Sequence, residues 1–186
     1  MYNSYHEFIT PFTKEELDSI ITKYDKELPP LRTLGEHKDE YRTGQGTWIK
    51  DSEPTVNRLK QLIAGVTGLP IENQETPHFI KYEVGGQYKH HFDYFHPGTD
   101  YYADHIKRGG QRVFSSILYL NDNFEGGETD FPKHSLIVKP AAGKLFTWRN
   151  MTVDGNLDAN SNHAGLPVKT GIKYIIVVWI RQNKFN

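Results

Sequence analysis

The chain has 186 residues, 22 of them basic and 23 acidic, for a formal net charge of −1. That near balance, with no block of like charge, excludes the electrostatic footprint of a nucleic-acid binder or of a protein held on an anionic membrane surface. Cysteine is absent, which excludes disulfides, zinc thiolate sites and a cysteine nucleophile and fits a reducing compartment.

The length predicts one domain, residues 1–186, large enough to bury a core without staples. The first residues lack a positive region followed by an apolar stretch, and no apolar run is long enough to span a bilayer, so a cytoplasmic protein with no membrane partner is expected. Along the chain, Thr13-Lys-Glu-Glu16 is a capping box followed by Leu17, Ile20, Ile21 and Tyr24 at helical spacing, a helix that Pro29-Pro30 closes. A second helix is predicted from near Ser52, with Pro54 in its first turn, Leu59, Leu62, Ile63 and Val66 on one face and a stop at Gly68. After Glu72 come short runs rich in Val, Ile, Tyr, Phe and Trp, divided by Gly, Asn, Asp and Pro. Strands are predicted at about 78–84, 88–95, 112–121, 128–132, 135–138, 144–149 and 173–181. This pattern predicts a mainly β jelly roll, with helical support over about 1–70 and a β core over about 76–182.

In the last run Lys173, Ile175, Val177 and Trp179 share one face and Tyr174, Ile176, Val178 and Ile180 the other. A lysine on an otherwise apolar face either sits at the strand end and snorkels to water or meets an anion inside. Asn150-Met-Thr152 is formally a glycosylation sequon, with no role in a chain that is not secreted.

The run 88–95 carries His91 and Asp93, and a strand places residues i and i+2 on one face, where an imidazole and a carboxylate reach one metal. With one more histidine, downstream at His163, the set becomes two His and one carboxylate. That arrangement leaves open positions on Fe(II) for a chelating co-substrate and O2. A His-x-Asp triplet alone is unspecific, and His37-Lys38-Asp39 is a second copy, but it lies among charged and Gly residues and reads as a solvated loop. The polar stretches Leu31 to Gly46 and Phe95 to Gly110 read as mobile loops over a site. His96, Asp100, Asp104 and His105 in the second read as solvated rather than as a metal cluster.

A wider set of residues resembles one family. Arg42-Thr-Gly-Gln-Gly-Thr-Trp48, Tyr82-Glu-Val-Gly-Gly-Gln-Tyr-Lys-His-His-Phe-Asp-Tyr94, Gly110-Gln-Arg112, Tyr119-Leu120, Gly126-Gly-Glu-Thr129, Phe131-Pro132, and His163-Ala-Gly-Leu-Pro-Val168 with Gly171-Ile-Lys173 and Trp179 follow in order. Together they resemble the prolyl 4-hydroxylase branch of the Fe(II)/2-oxoglutarate dioxygenases, over roughly residues 42–181. The resemblance implies a double-stranded β-helix, His91, Asp93 and His163 as iron ligands, and Lys173 on the distal carboxylate of 2-oxoglutarate beside Tyr82 and Thr129. It implies Tyr88, Arg112 and Trp179 as substrate contacts, O2 as co-substrate, ascorbate as reductant, and a proline-containing peptide or protein as substrate. A lysine charge in an apolar barrel suits a dicarboxylate on physical grounds as well.

The chain departs from the pattern at Ile180-Arg181-Gln182, where animal and algal peptide hydroxylases often place a histidine, and in lacking the family's cysteines. An arginine there suggests a target proline flanked by acidic residues. Two other readings use the same features: a 2-oxoglutarate oxygenase acting on another residue or a small molecule, and a non-catalytic jelly-roll binding module. Three ligands with an internal lysine speak against the second, because a structural metal site tends to be closed.

Overall fold

The computed structural model describes residues 4–32, 40–49 and 52–186. Strand β1 (Tyr5–Ile9) opens the described chain, and helix α1 (Lys14–Tyr24) starts where the capping box predicts. The Thr13 hydroxyl accepts the Glu16 amide and the Glu16 carboxylate accepts the Thr13 amide, so two otherwise orphaned donors are satisfied. After β2 (Gln45–Trp48), helix α2 (Pro54–Thr67) begins on a proline that has no N–H to lose and ends on Gly68 in the left-handed region at φ 69°.

The remaining strands are β3 (His78–Tyr82), β4 (Tyr88–His91), β5 (Arg112–Tyr119), β6 (Glu125–Gly126), β7 (Thr129–Phe131), β8 (Leu136–Val138), β9 (Lys144–Arg149), β10 (His163–Gly165), β11 (Val168–Thr170) and β12 (Lys173–Arg181), with a short helix α3 (Tyr102–Lys107) between β4 and β5. A six-stranded sheet runs β1-β9-β5-β12-β3-β2, a four-stranded sheet runs β4-β10-β7-β8, and β11 pairs with β6. Every pairing is antiparallel. The two larger sheets form the jelly roll that the run of short strands predicts, and the helices pack on the outer face of the six-stranded one.

Alternation along β12 builds both layers. Ile176, Val178 and Ile180 join Leu17 and Ile20 of α1 and Leu59 and Ile63 of α2 in one apolar cluster. Ile175, Val177 and Trp179 face the other way, with Ile117, Phe131, Phe146 and Trp148. Because β12 lies between β3 and β5, both its edges are hydrogen-bonded as well.

Five expectations change, the first being that β6, β10 and β11 fall outside every predicted strand, because two or three residues are too few to show alternation. β1 and β2 fall in the part predicted as helical support, yet both belong to the six-stranded sheet; β1 is an edge strand with exposed, polar positions, so it lacks apolar alternation. Gln45–Trp48 takes the end of the predicted Leu31–Gly46 loop into the sheet through pairing with β3. β4 stops at His91 rather than continuing to 95, because Asp93 turns inward in a bend. The predicted solvated loop Phe95–Gly110 contains α3 and is anchored at both ends. Phe95 is buried, and its N–H and C=O are both held by the Gln111 side chain. No helix among the described residues is long and apolar enough to cross a membrane.

Ile176 is fully buried between β12 and the helices, so Ile176→Ala lowers the unfolding free energy by about 2–5 kcal/mol. Ile137→Ala, at an exposed position of β8, changes it by less than about 0.5 kcal/mol. Urea unfolding of both variants measures the difference.

Candidate metal centre and its cavity

His91 is the last residue of β4 and His163 the first of β10, and the antiparallel register sets them opposite one another. Their ring centroids lie 4.2 Å apart. Asp93 reaches them from the bend beyond β4, not from the same strand face as predicted. Its Oδ1 is 3.5 Å from His91 Nε2 and its Oδ2 3.7 Å from His163 Nε2. One donor atom from each of the three residues falls within 4.8 Å of the others, and no other group of three His, Asp or Glu does so among the described residues. His96, Asp100, Asp104 and His105 form no such cluster; Asp104 pairs with Lys107 and His105 stacks on Phe95. His37 and Asp39 lie outside the described residues.

The donors suit a divalent metal. His91 Nδ1 is 2.8 Å from the Lys89 carbonyl and His163 Nδ1 is 2.9 Å from the Ser161 carbonyl. A carbonyl only accepts, so each Nδ1 carries the proton and each Nε2 presents its lone pair to the centre. Burial, helped by the neighbouring His91, pushes the His163 imidazole down to about 4. Burial alone would raise the Asp93 carboxyl, but the two imidazoles and Arg112 hold it well below the ordinary carboxylate range. Two neutral imidazoles and one carboxylate are the donor set for an open Fe(II) site. Tyr88 stacks on His91 at 3.4 Å between centroids, and Trp148 and Phe131 pack against the His163 ring at 4.7 and 5.4 Å.

The same cavity runs to Lys173, with Ile117, Ile175 and Val177 between. Lys173 opens β12 opposite Tyr82 on β3, and it does not snorkel: it is 2% exposed and its ammonium donates to the Gly127 carbonyl at 2.6 Å. Among the described residues no carboxylate forms an ion pair with it. Burial pulls it down to about 8, with Glu128 working against the shift. Its Nζ lies 5.6 Å from the centroids of both Tyr82 and Tyr119, and the Tyr119 hydroxyl meets Thr129 Oγ1 at 2.6 Å. A small dicarboxylate would find its cation here and its chelating partner at the other end.

Tyr88, Arg112 and Trp179 line a wider cleft that opens beside the histidines. Tyr88 lies between His91 and the Arg42 guanidinium, which is 4.5 Å from its ring. Arg112 stacks 4.0 Å over Trp179 and forms a two-pronged pair with Glu75, at 2.7 and 2.9 Å. Arg181 is not a cation free for substrate, as the acidic-flank expectation requires. It is 1% exposed, 3.3 Å from the same Glu75 carboxylate, and hydrogen-bonded to the His105 carbonyl.

Sequence reasoning assigned no role to Glu75, Ser115 and Tyr119. Ser115, Ile117 and Tyr119 share the inward face of β5, so alternation along that strand carries a signal for two of them. Glu75 lies outside any strand, where periodicity is silent.

A family model described as the 2OG-Fe(II) oxygenase superfamily matches residues 77–181. The chain is 31% identical to a probable prolyl 4-hydroxylase 10 of Arabidopsis thaliana, covering 98% of this chain and 69% of that protein. It is 32% identical to prolyl 4-hydroxylase 1 of the same plant, covering 95% and 67%. The structure of a viral collagen prolyl hydroxylase from Paramecium Bursaria Chlorella virus-1, in complex with 2OG, superposes with a TM-score of 0.77 over 97% of each chain at 26% identity. A Pseudomonas putida prolyl-4-hydroxylase shares the fold, with a TM-score of 0.68 over 98% of this chain and 94% of the other at 21% identity.

His91→Ala, Asp93→Ala and His163→Ala each abolish Fe(II) binding and turnover while circular dichroism stays that of the wild type, because each removes a donor but no strand pairing. His96→Ala retains metal binding. Calorimetric titration with metal separates the two groups, and loss of binding in His96→Ala alone would relocate the centre.

Proposed function

The chain belongs to the prolyl 4-hydroxylase family of the 2OG-Fe(II) oxygenase superfamily, and from that premise we propose that it hydroxylates C4 of proline in a peptide or protein. The reaction is coupled to decarboxylation of 2-oxoglutarate to succinate. The observation that carries this reading is a single cavity lined by a His-Asp-His donor set and by a buried lysine that pairs with no carboxylate among the described residues. The whole chain acts as one dioxygenase domain.

His91, Asp93 and His163 would hold Fe(II). Bound iron supplies the redox chemistry by which O2 and 2-oxoglutarate are converted into oxidising power at a C–H bond. Lys173 takes the distal carboxylate of 2-oxoglutarate by a charge-assisted hydrogen bond. The Tyr82 ring and the Thr129 hydroxyl, itself tied to Tyr119, limit the orientations available to that carboxylate. Ile80, Ile117, Ile175 and Val177 wall the space between and exclude water, which strengthens the attraction of lysine for the dianion. On the outer side, Tyr88 and Trp179 border the cleft that would take a proline ring, and Arg112 offers donors to a peptide carbonyl. An extended polyproline-type segment suits this cleft because little ordering entropy is lost on binding. The same iron and co-substrate set would also serve another residue or a small molecule, a reading that product analysis separates.

Lys173→Ala raises the KM for 2-oxoglutarate strongly and leaves Fe(II) affinity near the wild-type value; equal loss of both would make Lys173 a support of the fold. The pH dependence has a definite sign. Lys173 is charged below about 8 and loses its proton above that value, so kcat/KM for 2-oxoglutarate falls as pH rises through about 8, a limb that initial-rate profiles on the free enzyme detect.

Proline-rich peptides incubated with enzyme, Fe(II), 2-oxoglutarate and ascorbate gain one oxygen at proline C4, read by mass spectrometry and NMR. Substrate-stimulated succinate release without a proline product would move the assignment to another substrate. Arg112→Ala and Tyr88→Ala raise the peptide KM and the fraction of uncoupled succinate more than they alter 2-oxoglutarate binding.

A further inference from the structure

Asp93 is the one member of the metal-binding group that no strand holds. Its backbone lies in the bend after β4, where the Arg112 guanidinium donates to its carbonyl at 3.3 Å. Its side chain is directed from elsewhere. Ser115, on the inward face of β5, donates to Asp93 Oδ2 at 2.6 Å, and the Asn150 amide nitrogen donates to Ser115 Oγ at 2.8 Å. The direction of this relay follows from the chemistry of its ends. An amide nitrogen only donates and a carboxylate only accepts, so the Ser115 hydroxyl takes one bond from Asn150 and spends its own proton on Asp93.

All three side chains are buried, Ser115 and Asn150 completely. A buried hydroxyl and a buried amide destabilise the fold unless they are hydrogen-bonded. Asn150 is itself rigid: its N–H donates to the Val113 carbonyl at 2.8 Å and its C=O accepts the Asp158 N–H at 3.0 Å. Complete burial also removes the Asn150-Met-Thr152 sequon from reach in the folded protein, so Asn150 takes a place in the interior instead.

We propose that Ser115, oriented by Asn150, is a positioning residue that engages Asp93 Oδ2 and leaves Oδ1, the oxygen nearer His91 Nε2, as the single coordinating atom. A carboxylate restricted to one oxygen occupies one position on the metal, so those needed by a chelating oxo acid and by O2 stay open. The inference rests on the metal centre described above and does not depend on the identity of the substrate.

The test is a titration of the full chain with Co(II), followed by calorimetry and visible absorption, with no turnover involved. Ser115→Ala and Ser115→Val lower Co(II) affinity by about 10–100-fold and change the absorption band as the carboxylate swings to two-oxygen contact. Ser115→Thr, which keeps the hydroxyl in the shape of valine, retains both affinity and spectrum. The proposal is overturned if Ser115→Ala binds Co(II) as the wild type does. It is equally overturned if Thr and Val behave alike, which would make the role one of packing. A wild-type signal that persists in His91→Ala overturns the metal assignment itself, and this inference with it, whereas a failed search for a proline product leaves it standing.

Discussion

Strand β12 is buried at all nine of its positions, and the rest of the molecule is arranged around that constraint. A strand with apolar residues on both faces needs a cover on each side and a hydrogen-bonded neighbour at each edge. The helices cover one face, the four-stranded sheet covers the other, and β3 and β5 close the edges. The functional cavity is a consequence of the same packing. Between the face made by Ile175, Val177 and Trp179 and the opposing sheet, the side chains leave a space with an apolar middle, and the residue that opens β12 supplies its cation.

Charge inside such a space must be matched by something. Asp93 accepts the Ser115 hydroxyl and lies in the field of Arg112, and Glu75 is matched by two guanidiniums. Among the described residues Lys173 has only the Gly127 carbonyl. Burying an ammonium with no counterion is costly unless a ligand completes it, and this asymmetry is what distinguishes a site for a dianion from a structural ion pair. The Glu75 pair has the opposite character: it is internally balanced by Arg112, and Arg181 adds a second cation that ties the same carboxylate to the carbonyl of His105. Arg181 therefore joins β12 to the segment that carries α3, and its charge is committed before any substrate arrives.

The reach of sequence reading follows the reach of its signals. Capping residues and 3.6-residue spacing are local, so both long helices begin within a residue or two of expectation and α2 stops at its predicted glycine, whereas α1 ends at Tyr24, well before the Pro29-Pro30 stop. Period-two alternation located the long interior strands for the same reason; it failed for β1, an exposed edge, for β2, in a glycine-rich stretch, and for β6, β10 and β11, which are too short to show a period. Helix α3 was illegible because it has no buried residue and no side-chain cap at its start. It is held by contacts from outside itself, and the stack of His105 on Phe95 has no trace in local composition.

The amino-acid sequence by itself determined the chemistry available: a histidine and a carboxylate two residues apart, a later histidine, a lysine on an apolar strand face, and motifs ordered as in one enzyme family. Residue types and spacings are written along the chain, so these needed no coordinates. Only the tertiary structure decided how the groups meet. The register of β10 on β4 sets His163 opposite His91, a bend rather than a strand face delivers Asp93, and Ser115 with Asn150 orients its carboxylate across the interior. Burial decided the fates of the two ends of β12, holding Lys173 on the Gly127 carbonyl and tying Arg181 to Glu75. Such pairings link positions far apart in the chain, and no local pattern encodes which distant carboxylate a buried cation will find.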